Sequence, residues 1–160
     1  MKPAYLLLAA AAALGVPRGA TAQDDLKSAS AARLSFVQVD SLALVFGVDT
    51  EAVRRHMTGR LATGRITVVA DEQAPPLGVT ILVRVPAEPE TDNFVTVALS
   101  YGAPKAEGNG RASAIWDGQS PPLRAKELRM LPALVTVAAD KVVDQLIAAR
   151  DHARGRGSAP

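Results

Sequence analysis

The chain contains no cysteine. No disulfide can brace it, no thiolate can ligate a metal and no thiol can act as a nucleophile. Histidine is scarce too. Only His56 and His152 occur, and neither has a partner at metal-ligand spacing. Aromatics make up 4% of residues, too few to interleave with basic side chains as a nucleic-acid surface requires. No serine sits in a nucleophile elbow, and no glycine loop has Walker or dinucleotide spacing. No apolar run reaches the roughly 20 residues of a membrane-spanning helix. The longest, Ala4–Val16, has 13 and is followed by Pro17 and Arg18.

That run has the form of a secretory signal peptide. Lys2 supplies the positive start, and Ala20-Thr21-Ala22 places small residues before the polar Gln23-Asp24-Asp25. Cleavage after Ala22 is expected, giving a periplasmic or secreted protein. Removing 22 of the 160 residues leaves 138, the size of one domain with a real core. It also changes the charge. The whole chain has 18 basic and 16 acidic residues, a formal net of +2. Lys2 and Arg18 belong to the removed segment, so 16 of each sign remain. The basic balance is thus no argument for a nucleic-acid or anionic-lipid partner.

Past the cleavage point, Gln23–Arg33 is polar and rich in Ala and Ser, and is expected to be a flexible lead-in. Leu34–Val39 alternates as a strand. Leu42–Phe46 fits either an extension past a bulge or a short helical turn. Asp49–Ala62 reads as a helix. Asp49 is a natural N-cap, and Glu51 sits where the helix dipole favours an anion. Val48 and Val53 have the spacing of a hydrophobic staple, and Val53, Met57 and Leu61 line one face. Gly64 stands where a helix-ending glycine is common.

Ile66–Val69 follows as a short strand, then the turn Asp71–Pro76. Leu77–Val85 and Phe94–Tyr101 alternate cleanly, separated by the acidic loop Pro86–Asn93. Gly102–Gly110 reads as a hairpin loop ending in Asn109-Gly110. Arg111–Asp117 is a further strand and Gly118–Pro122 a turn. Leu134–Ala153 is an amphipathic helix with Pro132 near its start, and Arg154–Pro160 an expected disordered tail. The order β-α-β-β-β-β-α predicts an α+β domain over residues 34–153. Its sheet is mostly antiparallel (mixed), of four to five strands, with two helices packed on one face.

Chemistry-bearing constellations are sparse. Asp140 and Asp144 lie one turn apart, as a cation site or acid pair would need, but Lys141 can neutralise Asp144. Arg54 and Arg55 are expected to face water near the Pro86–Asn93 loop. The alternation of the two long strands places Thr80, Arg84, Thr96 and Ser100 in a polar row with no obvious helix to cover it. Trp116, the one tryptophan, is adjacent to Ile115 in a strand. One of the two should therefore lie on the less covered face, where an aromatic can anchor a partner. These five residues are the candidate interaction site. No catalytic residue, cofactor or metal is expected.

The segments Leu61-Ala62-Thr63-Gly64-Arg65-Ile66-Thr67-Val68-Val69 and Ala139-Asp140-Lys141-Val142-Val143-Asp144-Gln145-Leu146, with the long alternating strand between them, resemble small exported bacterial α+β proteins of unknown function. More distantly, the layout is similar to the amino-terminal domain of the Tol-system translocation protein and to the lipoprotein of the lipopolysaccharide-assembly translocon. That lipoprotein carries a lipid-acceptor cysteine after its signal. Gln23 stands there in this chain, so no membrane anchor is expected after cleavage. The uncovered row Thr80, Arg84, Thr96 and Ser100 leads to the expectation of a non-enzymatic envelope-accessory module that binds an envelope protein through its open sheet face or an exposed edge strand. A small-ligand carrier, with lipid or metabolite held between sheet and helices, is the alternative, and a hydrolase the third.

Overall fold

A computed structural model describes residues 20–86, 92–102, 105–106 and 112–156. The signal segment up to residue 19 lies outside these residues. So do most of the Pro86–Asn93 loop, the Asn109-Gly110 turn and the tail from residue 157.

The architecture is α+β, as its period-2 and period-3.6 patterns predict. Strand β1 (Ala31–Val39) leads through helix α2 (Ser41–Val45) and helix α3 (Thr50–Thr63) to the short strand β2 (Thr67–Val68). Then come β3 (Pro76–Arg84) and β4 (Asn93–Tyr101). A small hairpin follows, β5 (Lys105–Ala106) with β6 (Ala112–Ser113), then β7 (Trp116–Gln119) and β8 (Leu123–Ala125). The long helix α4 (Leu131–Arg156) closes the fold. The main sheet runs β2-β1-β3-β4, with β7 and β8 both on the outer side of β4. β1 is parallel to β2 and β3, and the remaining pairs are antiparallel.

The open choice over Leu42–Phe46 resolves as a helical turn. Asp40 caps it, its carboxylate accepting from the Leu42 N–H at 2.9 Å. The caps of α3 match expectation: Asp49 accepts from the Glu51 and Ala52 N–H groups, and Val48 and Val53 are both buried. Gly64 has a different role from the one expected. Its φ is −82°, and the left-handed residue is Arg65 at 61°. Gly64 is needed for room, since a Cβ there would meet the Ile147 Cδ1 of α4 at 2.4 Å.

The segment expected to be a flexible lead-in is built into the domain. Helix α1 (Ala20–Lys27) packs on α4 with Leu26 fully buried, and Ala29 and Ala32 join the core. Two arginines of α4 hold these junctions. Arg150, itself buried, donates to the Gly64 carbonyl at the end of α3. Arg154 donates to the Lys27 and Ala29 carbonyls at the end of α1. Helix ends leave carbonyls without internal partners, and these guanidinium groups satisfy two of them, with Ala29 just beyond α1 a third acceptor. Arg154, expected in a disordered tail, is therefore helical and engaged.

The turn expected at Gly118–Pro122 is shorter than predicted. Gly118 and Gln119 pair with Leu99 and Ala98, and β8 was unforeseen. Ser120 bridges the two short strands: its N–H donates to the Val97 carbonyl at 2.8 Å, and its hydroxyl accepts from the Val97 N–H at 3.0 Å. The core lies between one sheet face and α4. Leu77, Val79 and Ile81 of β3 and Val95, Val97 and Leu99 of β4 share one buried cluster with Val135, Ala138, Val142 and Leu146 of α4, which lies against β4, β7 and β8.

Candidate functional site

Alternation along β3 and β4 decides which side chains share the uncovered face. The register pairs Gly78 with Ser100, Thr80 with Ala98, Leu82 with Thr96 and Arg84 with Phe94. Their intervening neighbours point into the core. Thr80, Arg84, Thr96 and Ser100 therefore do lie together on the face opposite α4.

The face is not simply polar. Val37, displaced outward at a bulge between Phe36 and Gln38, is 70% exposed. It leans over Gly78, where a Cβ would meet its Cγ2 at 2.9 Å and the Ser100 Oγ at 2.8 Å. Leu82, beside Thr96, is 38% exposed. Arg84 has no ion-pair partner among the described residues, whereas Arg124, next to Phe94 in the register, pairs with Asp92 at 2.6 Å. Leu44 and Val45 of α2, and Phe46 just after it, are exposed as well, Val45 by 76%. The bulge at Val37 and the outward position of Leu82 thus turn an expected polar row into a mixed surface that includes threonines, a serine, an arginine and two bare aliphatic side chains.

Trp116 does not belong to it. It pairs with Tyr101 on the core side and is 1% exposed. Its ring lies along Gly118, where a Cβ would come within 2.3 Å of the ring edge. Ile115 is buried as well, against Gly102. The argument from adjacent strand residues fails because β7 begins only at Trp116, so Ile115 is not bound by alternation.

The basic and acidic residues of the helices are paired across α3 and α4. His56 Nε2 lies 2.8 Å from Asp140 Oδ1, and Arg60 grips Asp144 through two bonds of 2.8 Å. The two carboxylates are therefore separate helix-to-helix ties rather than a convergent pair, and Arg60, not Lys141, holds Asp144. The bond from Arg60 to Asp144 raises the guanidinium pKa above its ordinary value. Arg54, expected to face water, is only about one third exposed (36%) and pairs with Glu51. It donates to the Leu34 carbonyl of β1 at 2.7 Å and stacks 5.3 Å from the centre of the Phe36 ring.

A second feature was not visible in the sequence. A cleft of about 560 Å³ opens where β1 and β3 start and β4 ends. Asp25, Arg33 and Glu72 put charges on it, and Tyr101, Pro75 and Ile115 form apolar parts of its lining. The Tyr101 hydroxyl donates to the Ala31 carbonyl at 3.3 Å. Burial pushes the Tyr101 pKa up, the charge of Asp25 adds to the rise, and Arg150 opposes it.

No family model and no curated protein matches the chain. Among solved structures it is similar to a PelC dodecamer from Paraburkholderia phytofirmans, at 14% identity over 75% of this chain and 87% of that one, with a TM-score of 0.45. It is also similar to a minor lipoprotein from Acinetobacter baumannii, at 12% identity over 79% and 94%, with a TM-score of 0.43. Neither description names the Tol system or lipopolysaccharide assembly, so the likeness drawn from the sequence to those proteins stands unconfirmed.

Two residues of the face escaped sequence reasoning. Val37 was hidden by the bulge, which no residue type announces. Leu82 was legible as an outward position of β3, but an apolar residue in a polar row carries no chemical signal by itself. The cleft joins segments that only the fold brings together, so no local pattern marks it.

Proposed function

We propose that this is an exported, non-enzymatic binding module that docks an envelope protein on the open face of its sheet. The observation that carries this reading is the bare pair Val37 and Leu82 among Thr80, Arg84, Thr96 and Ser100. Aliphatic side chains on a strand surface, beside hydroxyls and a cation with no ion-pair partner among the described residues, have the composition of an interface centre with a polar rim. Export rests on the amino-terminal signal pattern. Among the described residues, no helix is long and apolar enough to cross a membrane.

Two observations favour binding over the alternatives. The space between sheet and helices, where a carried lipid would sit, is filled by Val135, Ala138, Val142 and Leu146 against the strands. The one-turn carboxylate pair Asp140 and Asp144 is engaged by His56 and Arg60. Crosslinking in cells followed by mass spectrometry tests the reading. One envelope protein recovered with the wild type and lost with Leu82→Asp supports it. No specific recovery, or recovery unchanged by the substitution, contradicts it.

A further inference from the structure

The cleft at the start of β1 and β3 carries an argument independent of the sheet face. Its walls are fixed by backbone bonds. The Arg33 N–H donates to the Pro75 carbonyl at 2.9 Å, holding the two strand starts together. Asp71 accepts from the Gln73 N–H at 2.8 Å, and its carbonyl accepts from the Ala74 N–H at 3.1 Å, so the turn bearing Glu72 is set. On the other side, Arg154 pins the carbonyls that follow α1. Gly102, at φ +93°, donates to the Pro76 carbonyl and leaves room for Ile115. A site built this way needs little reorganisation to accept a ligand.

Two of its charges, on Arg33 and Glu72, are of opposite sign. Arg33 and Glu72 both line the cleft, yet neither pairs with the other or with any described residue. An unpaired guanidinium takes a carboxylate well, and an unpaired carboxylate takes an ammonium. Pro75, Pro76 and Ile115 add apolar surface to the same lining. About 560 Å³ falls within the range of roughly 300–1,000 Å³ for small-molecule sites.

We infer that the cleft binds a small zwitterion with an apolar body, an amino acid or short peptide, its carboxylate on Arg33 and its ammonium on Glu72. Each charged contact is worth about tenfold in affinity or more. The test is an NMR titration of the ¹⁵N-labelled mature chain with free leucine and with leucyl-leucine. Saturable shifts centred on the Arg33, Gln73 and Ile115 amides are expected with at least one of them. N-acetyl-leucyl-leucine, lacking the ammonium, and leucyl-leucine amide, lacking the carboxylate, should each bind about tenfold more weakly or worse.

Arg33→Gln should abolish the preference for a free carboxylate, and Glu72→Gln the preference for a free ammonium. Both side chains reach solvent, and unchanged amide spectra away from the cleft confirm the fold of the variants. No saturable shift with either probe, shifts elsewhere on the surface, or blocked analogues binding as well as the parent would overturn the proposal. Because the readout is local to the cleft, its failure leaves the sheet-face reading untouched, and the reverse.

Discussion

Single side chains and single glycines set several local geometries. Gly102 combines a left-handed φ of +93° with a site where a Cβ would lie 2.9 Å or less from three Ile115 carbons. Backbone strain and overpacking act together there. Gly102→Ala should therefore cost about 2 kcal/mol or more in urea unfolding. An unchanged midpoint would mean that Ile115 is free to move aside. Tyr101 makes a pH prediction. Its folded pKa is raised above the ordinary 10.0. The folded state thus holds the hydroxyl proton more tightly than the unfolded chain does. The resulting stability is complete below about pH 10 and is lost as pH rises through the folded value. Alkaline titration of unfolding should show a decline beginning near pH 10, and Tyr101→Phe should remove that part of it. Loss of the Ala31 bond lowers the variant's stability at all pH values but does not mimic the alkaline slope.

At the scale of elements, legibility followed how local the determinants are. Helix α3 could be read because cap, staple and four-residue spacing all lie within its own stretch. The strands β3 and β4 could be read because their alternation is unbroken. Helix α1 could not. Its one fully buried side chain among those described, Leu26, is held by α4 more than 100 residues away in sequence, and a polar stretch with one leucine looks like a linker. Leu26→Ala should cost about 2–5 kcal/mol, measured by chemical denaturation. A flexible lead-in would show no change. Strand β8 was hidden by Pro121 and Pro122, which end β7 but do not prevent a new strand once β4 offers an edge. Trp116 was misassigned because alternation was extended one residue beyond its strand. The open face was the most legible part of the site, since it follows from β3 and β4 alone. Val37 entered it only through the bulge. Asp40, which was not read as a cap from the sequence, caps α2, and Asp40→Ala should destabilise the chain by about 1 kcal/mol while leaving the sheet amide spectra intact.

Taken whole, the molecule commits much of its ionic chemistry to ties between elements, some buried, as at Arg150, and some at the surface, as at His56 and Arg60. Arg54, Arg60, Arg150, Arg154, His56 and Trp116 tie helices to strands and to each other. The face opposite α4 is left with Val37, Leu82 and their polar neighbours exposed. That distribution is the basis for reading the protein as a binding module. The most direct test places a photoreactive amino acid at Thr96, in the middle of the open face, and separately at Lys141, on the exposed side of α4. Irradiation in cells should give one discrete adduct from position 96 that disappears when Leu82→Asp is added, and none from position 141. The same adducts from both positions, or no adduct from position 96, would contradict the account.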